Sequence, residues 1–237
     1  MKSEAVDREG PFSGLSTPLV CDACMRVGLD VRSVPMDVGP LIAGSRVSGP
    51  ARPVRHAGSV DVFLEALEGS RPGEVLVIDN AGRDDEACIG DLIVLEARQA
   101  GIAGIVLWGA HRDTPELLEI GLPLWSCGAL PIGPAGARPR HPEALSSAKI
   151  FGITVTAADV VLADDDGVVV VAGGSLDRVT EQARRIADTE RAQAADARAG
   201  TTLRQQLRFS EYLRRRGEEP GFEFREHLRE IGGAVEE

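Results

Sequence analysis

Two apolar runs and one amphipathic segment dominate the pattern between residues 75 and 108. Residues 75–78 (VLVI) and 105–108 (IVLW) are apolar throughout, which is typical of strands buried on both faces. Between them, residues 92–101 (LIVLEARQAG) show helical spacing and end at a glycine. Strand, helix and strand at this spacing predict a βαβ unit with parallel strands. Ligands of such sheets bind beyond the carboxyl ends of the strands, so the loops 79–91 and 109–114 are candidate site loops.

Weaker patterns flank this unit. Thr17, followed by Pro18, is predicted to cap a first helix, and Ser59 is predicted to cap a second. Residues 37–57 contain short alternating stretches with Gly and Pro, and residues 150–172 contain Val-rich runs separated by turns. Both regions therefore predict strands.

The composition changes at Ser175, where β-branched residues give way to Arg, Glu and Ala with helical spacing. We therefore expect an α/β core domain of residues 14–174. A helical extension of residues 175–237 is expected to pack on the core or on a neighbouring subunit.

The charge balance argues against some partners. The net charge is −11 and the isoelectric point about 4.9, so the chain as a whole repels phosphate backbones and nucleic acid is not an expected partner. The N-terminal residues lack an apolar core typical of a secretory signal, and no run is long enough to span a membrane, so a cytoplasmic location is expected.

Four cysteines stand at positions 21, 24, 88 and 127. Cys21-x-x-Cys24 resembles half of a zinc or redox site, but Cys88 and Cys127 do not form a second pair. We interpret them as reduced, mostly buried thiols.

Charged residues cluster at the predicted loops. Asp91 lies where the helix of the βαβ unit begins, and Arg112-Asp113 follow its second strand. An arginine binds a carboxylate and a neighbouring keto oxygen bidentately, and Mg²⁺ prefers carboxylate and water oxygens, which Asp113, Asp91 and Glu116 can supply. This set predicts a magnesium-dependent site for a 2-oxo acid. Each residue also has a structural interpretation: Asp91 as an N-cap, Arg112-Asp113 as a solvated turn pair, and Glu116 as a partner of the helix dipole.

The motif G-D-L-x₁₉-R-D-x-x-E, formed by Gly90-Asp91-Leu92, Arg112-Asp113 and Glu116, resembles a known signature. It is similar to that of class II 4-hydroxy-4-methyl-2-oxoglutarate/4-carboxy-4-hydroxy-2-oxoadipate aldolases, a group of the RraA-like family. The flanking segments RPGEVLVIDNAG, LPLWSCGALP and ADVVLADDDGVVVV also resemble this family, and the likeness covers residues 14–190.

The resemblance implies roles for these residues. Asp113 would be the direct ligand of Mg²⁺ or Mn²⁺, Asp91 would reach metal-bound water, and Arg112 would hold the oxo acid and steady its enolate. The substrate carboxylate would meet the backbone of Gly90, Leu92 and Ile93.

The resemblance also has implications for the whole protein. The core of residues 14–174 would be an RraA-like catalytic domain with a layered β/β/α fold, like that of swivelling phosphohistidine domains. The protein would be a homotrimer or hexamer with sites at subunit interfaces. It would act as a lyase that releases pyruvate by aldol cleavage, decarboxylates oxaloacetate, or does both.

Two alternatives remain at this stage. One is a non-catalytic, protein-binding regulator like the relatives that inhibit ribonuclease E, although these usually lack an acidic residue at the position of Asp91. The other is a pathway-specific lyase with a different 2-oxo acid, because the loop 83–86 (RDDE) is more acidic than in the family. His111 adjoins the motif and is a candidate substrate contact. Asp164-Asp165-Asp166-Gly167 predicts a hairpin turn rather than a calcium loop.

Overall fold

The computed structural model describes residues 10–232 as a mixed α/β fold around one curled sheet. Eight strands form this sheet in the order β1-β12-β11-β3-β4-β6-β8-β2, and two small two-stranded sheets, β5-β7 and β9-β10, lie beside it. The strands are β1 (Ser33–Val34), β2 (Gly39–Pro40), β3 (Val47–Arg55), β4 (Val75–Asp79), β5 (Ala87–Ile89), β6 (Gly104–Trp108), β7 (Ala110–His111), β8 (Leu124–Ser126), β9 (Ser147–Ile150), β10 (Ile153–Thr156), β11 (Asp159–Asp164) and β12 (Gly167–Ala172). The helices are α1 (Thr17–Arg26), α2 (Asp61–Glu68), α3 (Asp91–Gln99), α4 (Thr114–Ile120), α5 (Leu176–Arg198), α6 (Leu203–Gln206), α7 (Phe209–Glu218) and α8 (Phe224–Ile231).

The sheet has a parallel half and an antiparallel half. β3, β4, β6 and β8 run parallel, whereas β11 pairs antiparallel with both β3 and β12. The predicted βαβ unit is β4-α3-β6, and its two strands are parallel neighbours. That prediction is confirmed, because continuous apolar runs are what a strand covered on both faces requires.

Two different layers cover the parallel half. On one face, α2, α3 and α4 bury residues such as Phe63, Val94 and Leu117 against the sheet. On the other face, the β9-β10 hairpin packs Ile150 and Val155 into a cluster with Trp125, Val77 and Val106. The predicted layered β/β/α arrangement is therefore confirmed.

The antiparallel half is covered by α1 and the first part of α5. Val20 of α1 and Val179, Ala183 and Ile186 of α5 pack on Leu162 of β11. The division predicted between residues 174 and 175 remains a prediction, although the first turns of α5 share this core.

The C-terminal helices form an aromatic cluster of their own. Its members, whose rings contact one another mostly in tilted or edge-to-face pairs, are Phe209, Tyr212, Phe222, Phe224 and His227. The predicted C-terminal helices are confirmed as far as residue 232. Within residues 10–232, no helix combines the length and apolar character needed to cross a bilayer.

Both predicted helix caps are wrong in detail. Ser16 takes the N-cap position of α1, and Thr17 instead donates from its N–H and Oγ1 to the Asp164 carboxylate at 2.8 and 2.6 Å. Val60, not Ser59, is the N-cap of α2 and makes no side-chain cap bond. At α1, a buried acid at the end of β11 takes over the capping role, and nothing in the local sequence indicates it.

Candidate functional site

A pair of short parallel strands brings the two predicted loops together. β5 and β7 pair with Ile89 opposite His111, and the N–H of Arg112 donates to the carbonyl of Ile89 at 3.0 Å. Asp91 begins α3 just after β5, and Arg112 follows β7 directly. The pairing therefore fixes both residues, with Asp113, at one edge of the sheet. Their chemical roles remain predictions.

Asp113 lies at the junction of the two loops. Its φ of 61° and ψ of 41° place it in the left-handed region, which Asp tolerates better than most residues. Its side chain does not cap α4, and Oδ2 instead accepts a hydrogen bond from the N–H of Asp91 at 3.3 Å. A Cβ at Gly90 would overlap Asp113 Oδ2, so this approach requires glycine. A carboxylate is thus held against the N-terminus of α3, where the helix dipole favours negative charge.

Arg112 lies beside this carboxylate in a loose pair. Its Nε is 3.4 Å from Asp113 Oδ2, and the side chains are 48% and 34% exposed. Strong charge-assisted hydrogen bonds are shorter, about 2.7–2.9 Å, and exposed pairs contribute only about 0–1 kcal/mol. The guanidinium reaches towards Gly133, where an added Cβ would lie 2.8 Å from Nη1. Arg112 can therefore turn to a bound anion without breaking a strong contact.

A cleft of about 240 Å³ opens beside these residues. Of the residues lining this part of the described structure, Asp91 and Arg112 carry charge, and Gly58 and Gly90 add backbone surface. Its apolar wall consists of Val60, Ala87, Cys88, Ile89, Leu92 and Pro134, with Ile93 at the first turn of α3. Wider grooves of about 620 and 530 Å³ run along α6-α7 and α5. The smaller cleft is the better candidate, because the motif residues and the start of α3 meet there.

A second arginine–carboxylate pair lies next to the cleft. Arg138 donates from Nη2 and Nη1 to the two carboxylate oxygens of Glu86 at 2.6 and 3.0 Å, and the Glu86 side chain is only 4% exposed. The hydrogen bonds from Arg138 lower the pKa of Glu86 and outweigh the opposing effect of burial. The N–H of Arg138 also donates to the carbonyl of Ala57 at 2.7 Å. These bonds fasten the loop 131–142, which carries Pro134, to the wall of the cleft.

His56 and Asn80 follow β3 and β4 at the same edge and are both buried. His56 Nδ1 lies 2.9 Å from Asn80 Oδ1, so we assign the ring proton to Nδ1. The ring stacks on Phe63 at 5.2 Å, and burial lowers the pKa of His56. His56 Nε2 and Asn80 Nδ2 have no protein hydrogen-bond partner within the described part of the chain. Both groups belong to the support of the cleft wall and do not line the cleft.

The other candidates lie apart from the cleft lining. His111 is buried, with Nδ1 2.8 Å from Ser126 Oγ and Nε2 3.2 Å from Thr114 Oγ1, and burial lowers its pKa. It joins β7, β8 and α4 rather than lining the cleft. Glu116 is exposed on the first turn of α4.

The carboxylates of Asp91 and Asp113 fit a hard divalent cation. Within residues 10–232, no group of three or more His, Cys, Asp and Glu side chains is arranged as a metal site. Mg²⁺ does not require such a group, because it is usually held by one or two carboxylates together with waters and substrate oxygens. Asp91, which lines the cleft, and the partly exposed Asp113 beside it are such a donor set.

The cysteines do not form an alternative site. All four are free thiols, with Cys24 and Cys88 buried. Burial raises the pKa of Cys21 to about 11, which disfavours the thiolate that zinc binding or redox chemistry requires.

The fold and the cleft together describe an α/β domain whose strand-end loops bring a guanidinium and two carboxylates to the same edge of the sheet. Residues 17–170 match the family described as RraA-like, Aldolase/RraA, and the chain belongs to this family. The match spans the sheet from α1 to β12, including both loops of the motif.

Individual relatives agree with this assignment. A Halalkalibacterium halodurans protein named "Putative 4-hydroxy-4-methyl-2-oxoglutarate aldolase" is 29% identical over 187 residues, covering 78% of this chain and 86% of the relative. The crystal structure of an uncharacterized protein from Pseudomonas syringae pv. tomato has a TM-score of 0.71 at 27% identity, covering 82% of this chain and 94% of that one. Streptomyces coelicolor RraAS2, described as an unusual member of the RNase ES inhibitor RraA protein family, has a TM-score of 0.67 at 28% identity, covering 78% and 97%.

Sequence reasoning missed the far wall of the cleft. Gly58, Val60 and Pro134 line it, and Glu86 and Arg138 hold it together. The loop 131–142 lacks regular hydrophobic spacing, so its course could not be predicted. The acidic loop before β5 is evident in the sequence, but Arg138, the partner of Glu86, lies 52 residues further along the chain.

Proposed function

We propose that this protein is a divalent-metal-dependent lyase that breaks a carbon–carbon bond in a 2-oxo acid and releases pyruvate. The observation that carries the proposal is that Asp91 and Arg112 line one accessible cleft and that Asp113 contacts both of them. Membership of the RraA-like family and the name of the H. halodurans relative support the same chemistry.

The chain's own groups suit each part of this reaction. Asp113 and Asp91 would hold Mg²⁺ or Mn²⁺, and the bound cation would supply Lewis acidity at the keto oxygen. Arg112 would bind the substrate carboxylate and stabilise the negative charge that reaches the keto oxygen as the bond breaks. The backbone at Gly90, Leu92 and Ile93 would orient the carboxylate at the start of α3.

The atoms balance without a further reactant. In aldol cleavage, the proton of the 4-hydroxyl group passes to solvent, the C3–C4 bond breaks, and the electron pair of that bond forms the enolate of pyruvate. The distal fragment departs as an aldehyde or ketone. Protonation of the enolate carbon by solvent then gives pyruvate. Decarboxylation of oxaloacetate follows the same course, with CO₂ as the departing fragment.

The direct test is pyruvate release from oxaloacetate and from a 4-hydroxy-2-oxo acid. We expect turnover that EDTA abolishes and that Mg²⁺ or Mn²⁺ restores. Asp113→Asn should lose this turnover, whereas Asp188→Asn, a change in an exposed pair on α5, should keep it. Turnover that survives EDTA, or no turnover with either class of acid, would contradict the proposal.

If the protein is instead a non-catalytic, protein-binding regulator, the opposite results are expected. It requires a specific protein partner whose binding survives Asp113→Ala, together with no lyase activity in the unaltered protein. The structural similarity to RraAS2 is the reason to test this alternative, because RraAS2 is described as a member of an RNase inhibitor family. The same protein preparation serves both assays.

We also infer an assembly of three or six copies with sites at subunit contacts. Large apolar side chains are exposed on the helices α2, α3 and α4, at the residue before α2, and on the loop 131–142, namely Val60, Leu64, Leu92, Leu95, Leu118 and Ile132, of which Val60 and Leu92 line the cleft. Leu92 alone is 73% exposed, and patches of this kind mark contact surfaces. Light scattering after size exclusion would measure the mass, and a monomer at micromolar concentration would contradict the inference.

A further inference from the structure

One buried side chain spans the two-residue turn that carries the guanidinium and a carboxylate of the site. His111 precedes Arg112 and Asp113, and Thr114 follows them as the first residue of α4. His111 Nε2 lies 3.2 Å from Thr114 Oγ1, so the imidazole ring bridges the residues on either side of the turn. Both functional side chains therefore lie on a segment whose two ends are joined by a side-chain hydrogen bond.

The other ring nitrogen fixes the histidine to the sheet. His111 Nδ1 lies 2.8 Å from Ser126 Oγ at the end of β8, and this oxygen also accepts a hydrogen bond from the N–H of Gly128 at 3.3 Å. The backbone of His111 is bound as well, because its N–H donates to the carbonyl of Gly128 and its carbonyl accepts from the N–H of Leu130. His111 is only 3% exposed, and its ring holds the turn at a fixed position relative to β8.

The turn depends on such support, because Asp113 has a left-handed backbone with a φ of 61°. A residue other than glycine keeps a sparsely populated conformation where the surrounding contacts determine it. Asp113 does not cap α4 with its side chain, and its Oδ2 instead accepts a hydrogen bond from the N–H of Asp91. Because the bond between His111 and Thr114 constrains the turn, the Asp113 carboxylate is available to the site.

The polarity of these contacts distinguishes His111 from an ordinary core residue. An apolar side chain of similar size could fill the same space, but it would leave the hydroxyl groups of Ser126 and Thr114 without the ring as a partner. Burial of an imidazole costs solvation, and hydrogen bonds at both nitrogens offset that cost where the two hydroxyl groups face the ring. The positions of the turn and of the end of β8 are thus coupled through one side chain.

We infer that His111 is a positioning residue of the site. Through the hydroxyl group of Thr114, it holds the Asp113 carboxylate and the Arg112 guanidinium beside the start of α3. The inference rests on the proposed function for the roles of Arg112 and Asp113. It adds a residue that does not line the cleft but determines how tightly the site binds a divalent cation.

The test measures Mn²⁺ binding in the absence of substrate, from the electron paramagnetic resonance signal of the free ion, with the full-length protein in its native assembly. Thr114→Val removes the hydroxyl group at nearly constant volume. We expect it to weaken Mn²⁺ binding about tenfold, because removal of a group that orients a metal ligand commonly has an effect of this size. Thr114→Ser keeps a hydroxyl group and should restore most of the affinity. Unchanged Mn²⁺ affinity in Thr114→Val would overturn the inference.

A second variant removes both ring bonds. His111→Phe keeps a buried ring, and it should weaken Mn²⁺ binding at least as much as Thr114→Val does. If His111→Phe does not fold, Thr114→Val decides the test by itself, because Thr114 is only partly buried. Failure of Thr114→Ser to restore the affinity would also contradict the inference, since the hydroxyl group would then have no part in the effect.

A histidine elsewhere in the chain provides the matched control. His227 is also buried, and its Nε2 donates to the carbonyl of Leu207 at 2.8 Å within the aromatic cluster of the C-terminal helices. His227→Phe should leave Mn²⁺ affinity unchanged, whatever its effect on the urea midpoint of unfolding. If it weakened Mn²⁺ binding as much as Thr114→Val, the effect would come from general destabilisation, and the inference would be overturned.

The outcomes also separate the inference from the proposed function. Metal-dependent pyruvate release, with Mn²⁺ binding that the variants do not alter, would overturn the inference and keep the lyase. Weakened Mn²⁺ binding in Thr114→Val, without turnover of any acid by the unaltered protein, would keep the inference and overturn the lyase. If the unaltered protein did not bind Mn²⁺, both would be overturned.

Discussion

Two arginine–carboxylate pairs at the same edge of the sheet differ in almost every physical respect. Arg112 and Asp113 are neighbours in the chain, lie 3.4 Å apart and are both substantially exposed. Arg138 and Glu86 are distant in the chain, form two hydrogen bonds, and involve a buried carboxylate. The first pair borders the cleft, and the second fastens its wall.

The difference shows how one kind of contact can serve binding or stability. Arg138 and Glu86 bind each other through two hydrogen bonds at a buried position, so neither is free to bind a ligand. Arg112 and Asp113 are exposed and only loosely paired, so Arg112 can bind an anion and Asp113 can bind a cation. The comparison predicts that mutations in the two pairs will have opposite effects on activity and stability.

The largest effect is expected for Arg112→Ala. Loss of the guanidinium should lower kcat/KM for pyruvate release about 10²- to 10³-fold, because it removes a charge that stabilises the developing enolate. Arg112→Lys should restore only part of this loss, since an ammonium group cannot bind bidentately. Steady-state kinetics at saturating Mg²⁺ would measure both.

The same Arg112 variant should hardly alter folding. The exposed pair contributes about 0–1 kcal/mol, so urea denaturation should give nearly the same free energy of unfolding. Arg184→Ala, at an exposed position of α5, provides the control for both assays. A large destabilisation by Arg112→Ala would contradict the inference that the Arg112–Asp113 pair contributes little to stability.

Arg138→Ala should show the reverse pattern. It leaves the buried Glu86 without its main partner, and we expect about 2 kcal/mol lower free energy of unfolding. This is less than for a fully buried pair, because Arg138 is 36% exposed and Arg83 remains close to Glu86. The loss of kcat/KM should be smaller than for Arg112→Ala.

Arg140→Ala is the matched control in the same loop. Its pair with Glu65 is exposed on both sides and screened by solvent, so the free energy of unfolding should hardly change. If Arg138→Ala and Arg140→Ala lowered the free energy of unfolding equally, the burial of Glu86 would not make its pair with Arg138 more stabilising than an exposed pair.

Gly90→Ala tests the junction at which Asp113 meets α3. The new Cβ would overlap Asp113 Oδ2, and a displaced carboxylate should lower kcat/KM about tenfold and raise the Mg²⁺ concentration needed for activity. The φ of −141° is ordinary for alanine, so backbone strain is not expected. Gly136→Ala serves as control, because its Cβ would meet no neighbour within 4 Å.

The smallest expected effect is a pH dependence of stability. Burial lowers the pKa of His56, so the unfolded chain takes up a proton below about pH 6.5 while the folded one resists it. The free energy of unfolding should therefore decrease as the pH falls below this value towards the lowered pKa of His56. Urea titrations between about pH 7.5 and pH 5.5 would measure the slope.

His56→Gln should reduce that slope, because it removes the buried imidazole. His111, whose pKa burial also lowers, accounts for part of the remainder. The contribution of Glu86 has the same sign but a lower window, since its pKa is depressed: it is complete above about pH 4.3 and is lost as the pH falls through the folded value. A slope that His56→Gln leaves unchanged would contradict this assignment.

The sequence predicted the parts of the fold that depend on local periodicity. The apolar spacing of β4, α3 and β6 predicts each of these elements separately. Because a strand–helix–strand unit has parallel strands, the loops that follow β4 and β6 were expected at the same edge of the sheet. For the same reason the placement of Asp91 and Arg112 at one edge could be predicted. The motif supplied the chemistry expected there.

The remainder depends on contacts between distant segments. The Asp164 bond to Thr17 joins residues 147 positions apart, and the Glu86 bond to Arg138 depends on an irregular loop. Neither has a periodic signal, so the cap of α1 was assigned wrongly and the far wall of the cleft was missed. His111 illustrates the same limit, because its burial against Ser126 follows from packing rather than from its neighbours in the motif.

Asp164, the last residue of β11, ties together three segments that lie far apart in the chain. Its carboxylate receives bonds from Thr17, and its carbonyl oxygen receives one from the indole N–H of Trp125 at 2.9 Å. A single residue thereby links the N-terminus of α1 and the strand β8 to the antiparallel half of the sheet, so a chain that ends before residue 164 lacks both connections.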